Sequence, residues 1–143
     1  MLERRRSFQG SSRCSATPQT VWAVWTNAAE WQGDVVEAVK IEGDFVVGAK
    51  YTTKVKGYPP LTSTVIRIDP LRAWIAVANR PGVTLTMEHV IEPADLGTLV
   101  VERVIMSGPA AGLYAGLLGK RLESLLGVTS AHVARLAEAH PST

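Results

Sequence analysis

Glycine and proline divide most of the chain into short segments, and this spacing constrains the fold more than any other feature. The intervening segments are about 8–11 residues long, which is typical of an antiparallel β-meander. The dividing residues are Gly43, Gly48, Gly57, Pro59, Pro60, Pro70, Pro81, Gly82, Pro93, Gly97, Gly108 and Pro109. We therefore predict a protein built mainly from one antiparallel sheet.

Most of these segments alternate between apolar and polar residues, as a strand with one buried face does. In the segment 83–92, Leu85, Met87 and His89 share one face, while threonine and glutamate occupy the other. Segment 49–56 alternates similarly, with Tyr51 and Thr53 on one face. We predict strands at 4–15, 35–43, 49–56, 61–69, 72–80, 83–92 and 98–106.

Helices are predicted in two places. Thr17 is suited to cap a short helix that starts at Pro18, and a further helical turn is expected at 28–31. Residues 110–139 contain no proline and carry a broad stripe of leucine and valine, which predicts one long terminal helix. Its glycines at 112, 116 and 119 lower helix propensity, so we expect them to allow close packing.

Length and charge limit the possible classes of protein. The 143 residues suit a single domain, 1–143, and a net charge of +2 argues against nucleic acid as a partner. One cysteine, Cys14, excludes an internal disulfide framework and is compatible with a reducing compartment. The apolar stretch 110–119 is too short for a membrane span, and no apolar segment follows the basic start. We expect a cytoplasmic monomer or homodimer.

Several segments resemble the START-like helix-grip superfamily (SRPBCC), and most closely its bacterial polyketide cyclase/dehydrase and lipid-transport group. The resemblance covers essentially the whole chain, although the turn 32–34 is shorter than in relatives. It is carried by ATPQTVWAVWTNAAEW at 16–31, GDFVVG at 43–48, KGYPPL at 56–61, LTMEHVIEP at 85–93, Gly97 with Thr98, and MSGP at 106–109.

The resemblance implies an α+β helix-grip fold, in which a seven-stranded antiparallel sheet wraps around the C-terminal helix and encloses a deep apolar cavity. Two short helices would lie between the first and second strands. Members of this superfamily include aromatic cyclases, lipid carriers and hormone receptors. The resemblance therefore implies a fold more specifically than a function.

Signatures of familiar catalytic centres are absent from the sequence, including phosphate loops, HExxH and GxSxG. We interpret Cys14 as a packing residue, and His132 and His140 as solvated surface residues. A three-histidine metal site would need all the histidines together, so we expect no metal and no cofactor.

His89 differs from the other histidines because it lies on an otherwise apolar strand face. A turn around 94–97 would place His89 opposite Glu102, and a turn at 81–82 would place Trp74 opposite His89. Opposed side chains on one face are about 5 Å apart at Cβ. Trp74, His89 and Glu102 are thus predicted to form a row on the face toward the helix.

Two interpretations of this row remain open. Glu102 could orient His89 and make it more basic, so that His89 acts as an acid/base or anchors a ligand beside Trp74. Alternatively, the two residues could form a structural polar pair beneath the helix. A one-residue error in register would turn both side chains to solvent.

We expect the cavity to bind a small apolar or aromatic metabolite or lipid without turnover. The alternatives are a polyketide cyclase/dehydrase-type enzyme that uses His89 as acid/base, and a protein-interaction module. We interpret the basic residues outside the predicted cavity as a solvated face; they are Arg4, Arg5, Arg6, Lys50, Lys54 and Lys56. The predicted lining is Tyr51, Thr53, Trp74, Ala76, Ala78, Leu85, Met87, His89, Val100, Glu102, Val104, Met106, Leu113, Leu117 and Leu125.

Overall fold

The computed structural model describes residues 6–140, which form seven strands and two α-helices. The order of elements agrees with the sequence prediction throughout; Arg4 and Arg5 lie outside the described residues. The elements are β1 (Arg6–Cys14), α1 (Pro18–Trp25), a 3₁₀ turn (Ala28–Glu30), β2 (Val36–Ile41), β3 (Lys50–Val55), β4 (Leu61–Asp69), β5 (Ala73–Arg80), β6 (Val83–Ala94), β7 (Gly97–Ser107) and α2 (Ala111–Ala139).

The seven strands form one antiparallel sheet in the order β1-β7-β6-β5-β4-β3-β2. Strands adjacent in sequence are paired, and β1 joins the sheet beside β7. The register of the central hairpins is the predicted one, with Trp74 opposite His89 and His89 opposite Glu102. The predicted helix-grip fold is confirmed.

Thr17 starts α1 as its sequence predicts. The Thr17 hydroxyl accepts a hydrogen bond from the Thr20 amide at 3.2 Å, and Pro18 occupies the first turn, where no amide donor is needed. On this helix Val21, Val24 and Trp25 are buried. Trp25 thus joins the core, whereas Trp22 on the same helix is only half-buried.

Helix α2 approaches β1 closely because glycines remove side chains from the contact. A Cβ atom on Gly10 would overlap the backbone of Leu126 and Gly127, and one on Gly119 would lie 2.7 Å from the Phe8 ring. The packing role predicted for Gly119 is therefore correct. For Gly112 and Gly116 it is wrong, because both are exposed and a Cβ on Gly116 would meet nothing within 4 Å.

The core is divided between the two ends of α2. One cluster gathers Trp25, Trp74 and Val100 with the C-terminal half of α2, and the other gathers Val104, Met106 and Leu126. Within residues 6–140, no helix is long and apolar enough to cross a membrane. Residues of both clusters line one cavity between the sheet and α2, and this is where the candidate site lies.

Candidate functional site

A cavity of about 480 Å³ lies between the sheet and α2. Strands β3 to β7 supply one wall and α2 supplies the other. Its wall is mainly apolar, and its rim includes the exposed residues Gly33, Asp34 and Pro59. A cavity of this size and character is typical of small-molecule binding sites.

Most of the predicted lining residues on the strands do face the cavity. They were identified by the alternation of strand faces combined with the two hairpin registers. The residues that the structure brings together are Tyr51, Thr53, Trp74, Leu85, Met87, His89, Glu102, Val104 and Met106, with Leu125 from α2.

Three predicted lining residues lie in the core instead. Ala76 and Ala78 are opposite Met87 and Leu85, and a methyl side chain extends less far from the sheet than these longer neighbours. The longer side chains therefore form the wall. Val100 is fully buried in the core cluster and is not among the residues that line the cavity.

The prediction for the start of α2 is wrong. Leu113 and Leu117 are 64% and 71% exposed and do not line the cavity. Successive helix residues are rotated by about 100°, so Leu118 faces inward where Leu117 faces solvent. The inward face is formed by Tyr114, Leu118, Leu122, Leu125, Leu126, Thr129, His132 and Val133.

Trp74 is the centre of an aromatic cluster in the cavity wall. Its ring is 2% exposed and stacks on His89, with centroids 3.5 Å apart and an interplanar angle of 3°. Trp31 lies nearly parallel to Trp74 at 5.3 Å, and Tyr51 and Phe45 approach it edge-on. Flat stacking restricts the rotation of all three parallel rings, which makes this wall rigid.

The hydrogen bond of His89 defines its tautomer, and its burial defines its protonation state. Its Nδ1 lies 3.1 Å from the carbonyl oxygen of Trp74, which can only accept, so Nδ1 carries the proton. Burial lowers the pKa of His89 to about 3, against a smaller opposite effect of this hydrogen bond. The ring is therefore neutral near pH 7, and Nε2 has a free lone pair.

Glu102 does not pair with His89, although the two residues are opposed in register. Its Oε2 instead accepts a hydrogen bond from the Thr129 hydroxyl of α2 at 2.9 Å. Burial raises the pKa of Glu102 to about 7, and the Thr129 bond partly offsets this. The expectation that Glu102 makes His89 more basic is thus wrong, because both groups are shifted toward their neutral forms.

His132 lines the cavity, although the sequence predicts a surface position for it. Its ring fills the space above Gly33, where a Cβ atom would lie 2.6 Å from the ring. Its Nε2 also lies 3.2 Å from the carbonyl oxygen of Glu30. His132 therefore joins α2 to the segment that carries Trp31. One sequence signal was available: His132 follows the predicted lining residue Leu125 by seven residues, which places both on the same helix face.

The remaining candidates are placed as follows. Cys14 is buried, its thiol lies 3.4 Å from the Ala134 carbonyl, and burial raises its pKa, which disfavours the thiolate. His140 is exposed and lies 3.3 Å from Glu30. Between residues 6 and 140, no group of three or more His, Cys, Asp or Glu side chains could hold a metal ion.

Comparison with known families identifies the chain. Residues 5–138 match the family described as polyketide cyclase / dehydrase and lipid transport. The chain belongs to this family. The match spans nearly all of the sequence, in agreement with the resemblance of its loops and terminal helix. No curated protein matches the chain by sequence.

Solved structures share the fold of this family member at low sequence identity. Norcoclaurine synthase from Thalictrum flavum, in complex with dopamine and hydroxybenzaldehyde, is 11% identical with a TM-score of 0.77, over 99% of this chain and 91% of that one. The di-domain ARO/CYC BexL is 15% identical with a TM-score of 0.77, over 96% and 51%. Ara h 8.0201 is 12% identical with a TM-score of 0.69, over 96% and 100%.

Proposed function

We propose that this family member binds a small apolar or aromatic molecule in the cavity between the sheet and α2. The observation that carries the proposal is the cavity itself, about 480 Å³ in volume and mainly apolar. Transfer of an apolar ligand from water into such a space is favourable by roughly 25 cal/mol per Å² of buried apolar surface. A few polar groups, such as Glu102 and His89, would orient the ligand.

The aromatic cluster also supports binding. Trp31, Tyr51 and Trp74 line the cavity and contact one another, so their positions are fixed before a ligand arrives. A preorganised wall reduces the entropy lost on binding. The family description includes lipid transport, and the norcoclaurine synthase structure contains small aromatic molecules. Both agree with this proposal.

Obstructing the cavity should weaken binding, and the chain offers a matched control at the next position. Leu118→Trp replaces a leucine side chain in the cavity with a larger indole ring. We expect it to weaken binding of the neutral fluorophore N-phenyl-1-naphthylamine about tenfold. Leu117→Trp makes the same change on the exposed face and should leave the affinity unchanged. Fluorescence titration measures both affinities, and circular dichroism checks that both variants are folded.

Two outcomes would contradict the proposal. One is that the wild-type protein does not bind the fluorophore or any co-purified apolar compound detectable by native mass spectrometry. The other is that the two tryptophan variants, both folded, weaken fluorophore binding equally. Equal weakening would place the binding surface outside the cavity.

Turnover of a polyketide-type substrate is the second candidate function. The observation in its favour is the tautomer of His89, because Nδ1 donates to Trp74 and leaves Nε2 free as a base. Against it stands the pKa of His89 of about 3, since a weak base removes protons poorly near pH 7. Glu102, with a pKa near 7, is better matched to proton transfer, so it is the residue that a test of turnover should change. We prefer binding as the function because the mainly apolar cavity supports it directly.

A kinetic experiment separates the two functions. If the protein is a cyclase, it should convert a synthetic poly-β-ketothioester, and Glu102→Gln should lower kcat about 100-fold or more with little change in KM. Glu92→Gln, at an exposed position of β6, is the matched control and should keep the wild-type rate. Absence of conversion by protein that binds the same compound would exclude catalysis on it.

A further inference from the structure

Glu102 is a cavity-facing acid without a basic partner. Its Oε2 accepts from Thr129, its neighbour on β6 is the neutral His89, and its neighbour on β1 is Gly10, which has no side chain. Across residues 6–140, no ion pair includes Glu102. Burial of a carboxylate without a cation is costly, and the Thr129 hydrogen bond stabilises the charge of Glu102 only in part.

The basic side chains that line the cavity are engaged elsewhere or directed to solvent. Arg80 donates to the carbonyl oxygen of Pro60 at 2.8 Å, and His132 contacts the Glu30 carbonyl. Arg135 lies on the exposed side of α2. The charge of Glu102 is therefore not neutralised from within the described part of the chain.

Within residues 6–140, two acceptors in this part of the cavity have no donor: Oε1 of Glu102 and Nε2 of His89, whose proton is on Nδ1. The Ser63 hydroxyl and the Trp74 indole N–H also lack a partner, but these atoms are buried within the wall, out of reach of a ligand. The Tyr51 hydroxyl, which also lines the cavity, can donate or accept. A hydroxyl group has one proton to donate and would satisfy one of them, whereas an ammonium group has three donors and no acceptor. Two neighbouring acceptors in an apolar cavity therefore match an ammonium group.

We propose that the ligand is an amine: an aromatic or apolar body with a protonated amino group that binds the Glu102 carboxylate. This inference rests on the proposed binding function and specifies its ligand class. The apolar body would contact the wall formed by Trp31, Tyr51 and Trp74, and the ammonium group would lie between Glu102 and His89. The positive charge of the ligand would then offset the free-energy cost of ionising Glu102 in its buried position.

The proposal is tested with two probes that differ only in the charged group, 2-phenylethylamine and 2-phenylethanol. At about pH 8 the carboxyl group is mostly ionised and an alkylamine is still protonated. We expect the wild-type protein to bind the amine roughly tenfold or more tightly than the alcohol, since a charge-assisted hydrogen bond contributes this much. Isothermal titration calorimetry measures both affinities.

Glu102→Gln should reverse the order. The amide keeps the shape of the side chain but not its charge, so the ammonium group would lose hydration without gaining a counter-ion, and the alcohol should bind more tightly. Glu92→Gln removes an exposed glutamate and should leave the preference for the amine intact. The comparison of the two probes on wild-type protein does not depend on any variant.

The possible failures are distinguishable. Wild-type protein could bind 2-phenylethanol or N-phenyl-1-naphthylamine without binding 2-phenylethylamine more tightly than the alcohol. In that case ligand binding stands and the amine assignment is overturned. A preference for the amine that persists in Glu102→Gln also overturns it. If none of the three compounds binds, both the proposed function and the ligand class are wrong.

Discussion

Replacing Glu102 with glutamine is expected to make the free energy of unfolding rise with pH, by about 1.4 kcal/mol per pH unit between pH 4.5 and 6.5. The slope comes from His89, whose pKa falls from 6.5 to about 3 on folding. In this range the unfolded chain binds more protons than the folded one, so higher pH favours the folded state. Stability from this group is lost as pH falls toward 3.

In the wild-type protein this slope should be nearly cancelled. Folding raises the pKa of Glu102 from 4.5 to about 7, so the folded state binds more protons and its stability falls as pH rises. The two effects are opposite in sign and overlap from pH 4.5 to 6.5. His89→Gln removes the first effect and should leave a stability that decreases by about 1.4 kcal/mol per unit up to pH 7.

Urea unfolding monitored by circular dichroism, at half-unit pH steps, measures the three slopes. Glu92→Gln, which changes an exposed carboxyl group, should reproduce the wild-type profile. Equal slopes for Glu102→Gln and wild type would mean that Glu102 has an ordinary pKa in the folded protein, contrary to this prediction. If the stability of Glu102→Gln does not fall as pH drops below 6.5, the pKa of His89 is not lowered by folding.

The prediction of the central strands succeeded because two short turns determine their register. Once the turns at 81–82 and 94–97 are placed, every cross-strand pair follows by counting, including His89 with Glu102. Strand alternation then decides which side chains face the helix. Local rules were sufficient because all of these contacts lie within consecutive hairpins.

The hydrogen bonds of the same residues could not be predicted, because they depend on a third element. Thr129 reaches Glu102 from α2, and its approach is set by the rotation of the helix over the sheet. Leucine occurs on both the inner and outer faces of α2, as Leu118 and Leu117 show, so hydrophobicity does not indicate that rotation. The error for His132 has the same origin.

The close approach of α2 to the sheet depends on Gly10, so a substitution at Gly10 should have a large effect on the free energy of unfolding. Gly10→Ala should lower the free energy of unfolding by about 3 kcal/mol, because the new methyl group would overlap the helix backbone at Leu126 and Gly127. Gly116→Ala makes the same change on the exposed face of α2. It should raise stability by up to about 1 kcal/mol, since alanine favours helix more than glycine.

The two alanine variants also test how the cavity is positioned. Gly10 is directly opposite Glu102 in the β1–β7 pair, so displacement of the helix at Gly127 would move Thr129 away from the Glu102 carboxyl group. We expect Gly10→Ala, measured under conditions where it is folded, to bind N-phenyl-1-naphthylamine several-fold more weakly, while Gly116→Ala binds as wild type does. Equal stability of the two variants in urea unfolding would show that the close approach of β1 and α2 does not hold the helix in place.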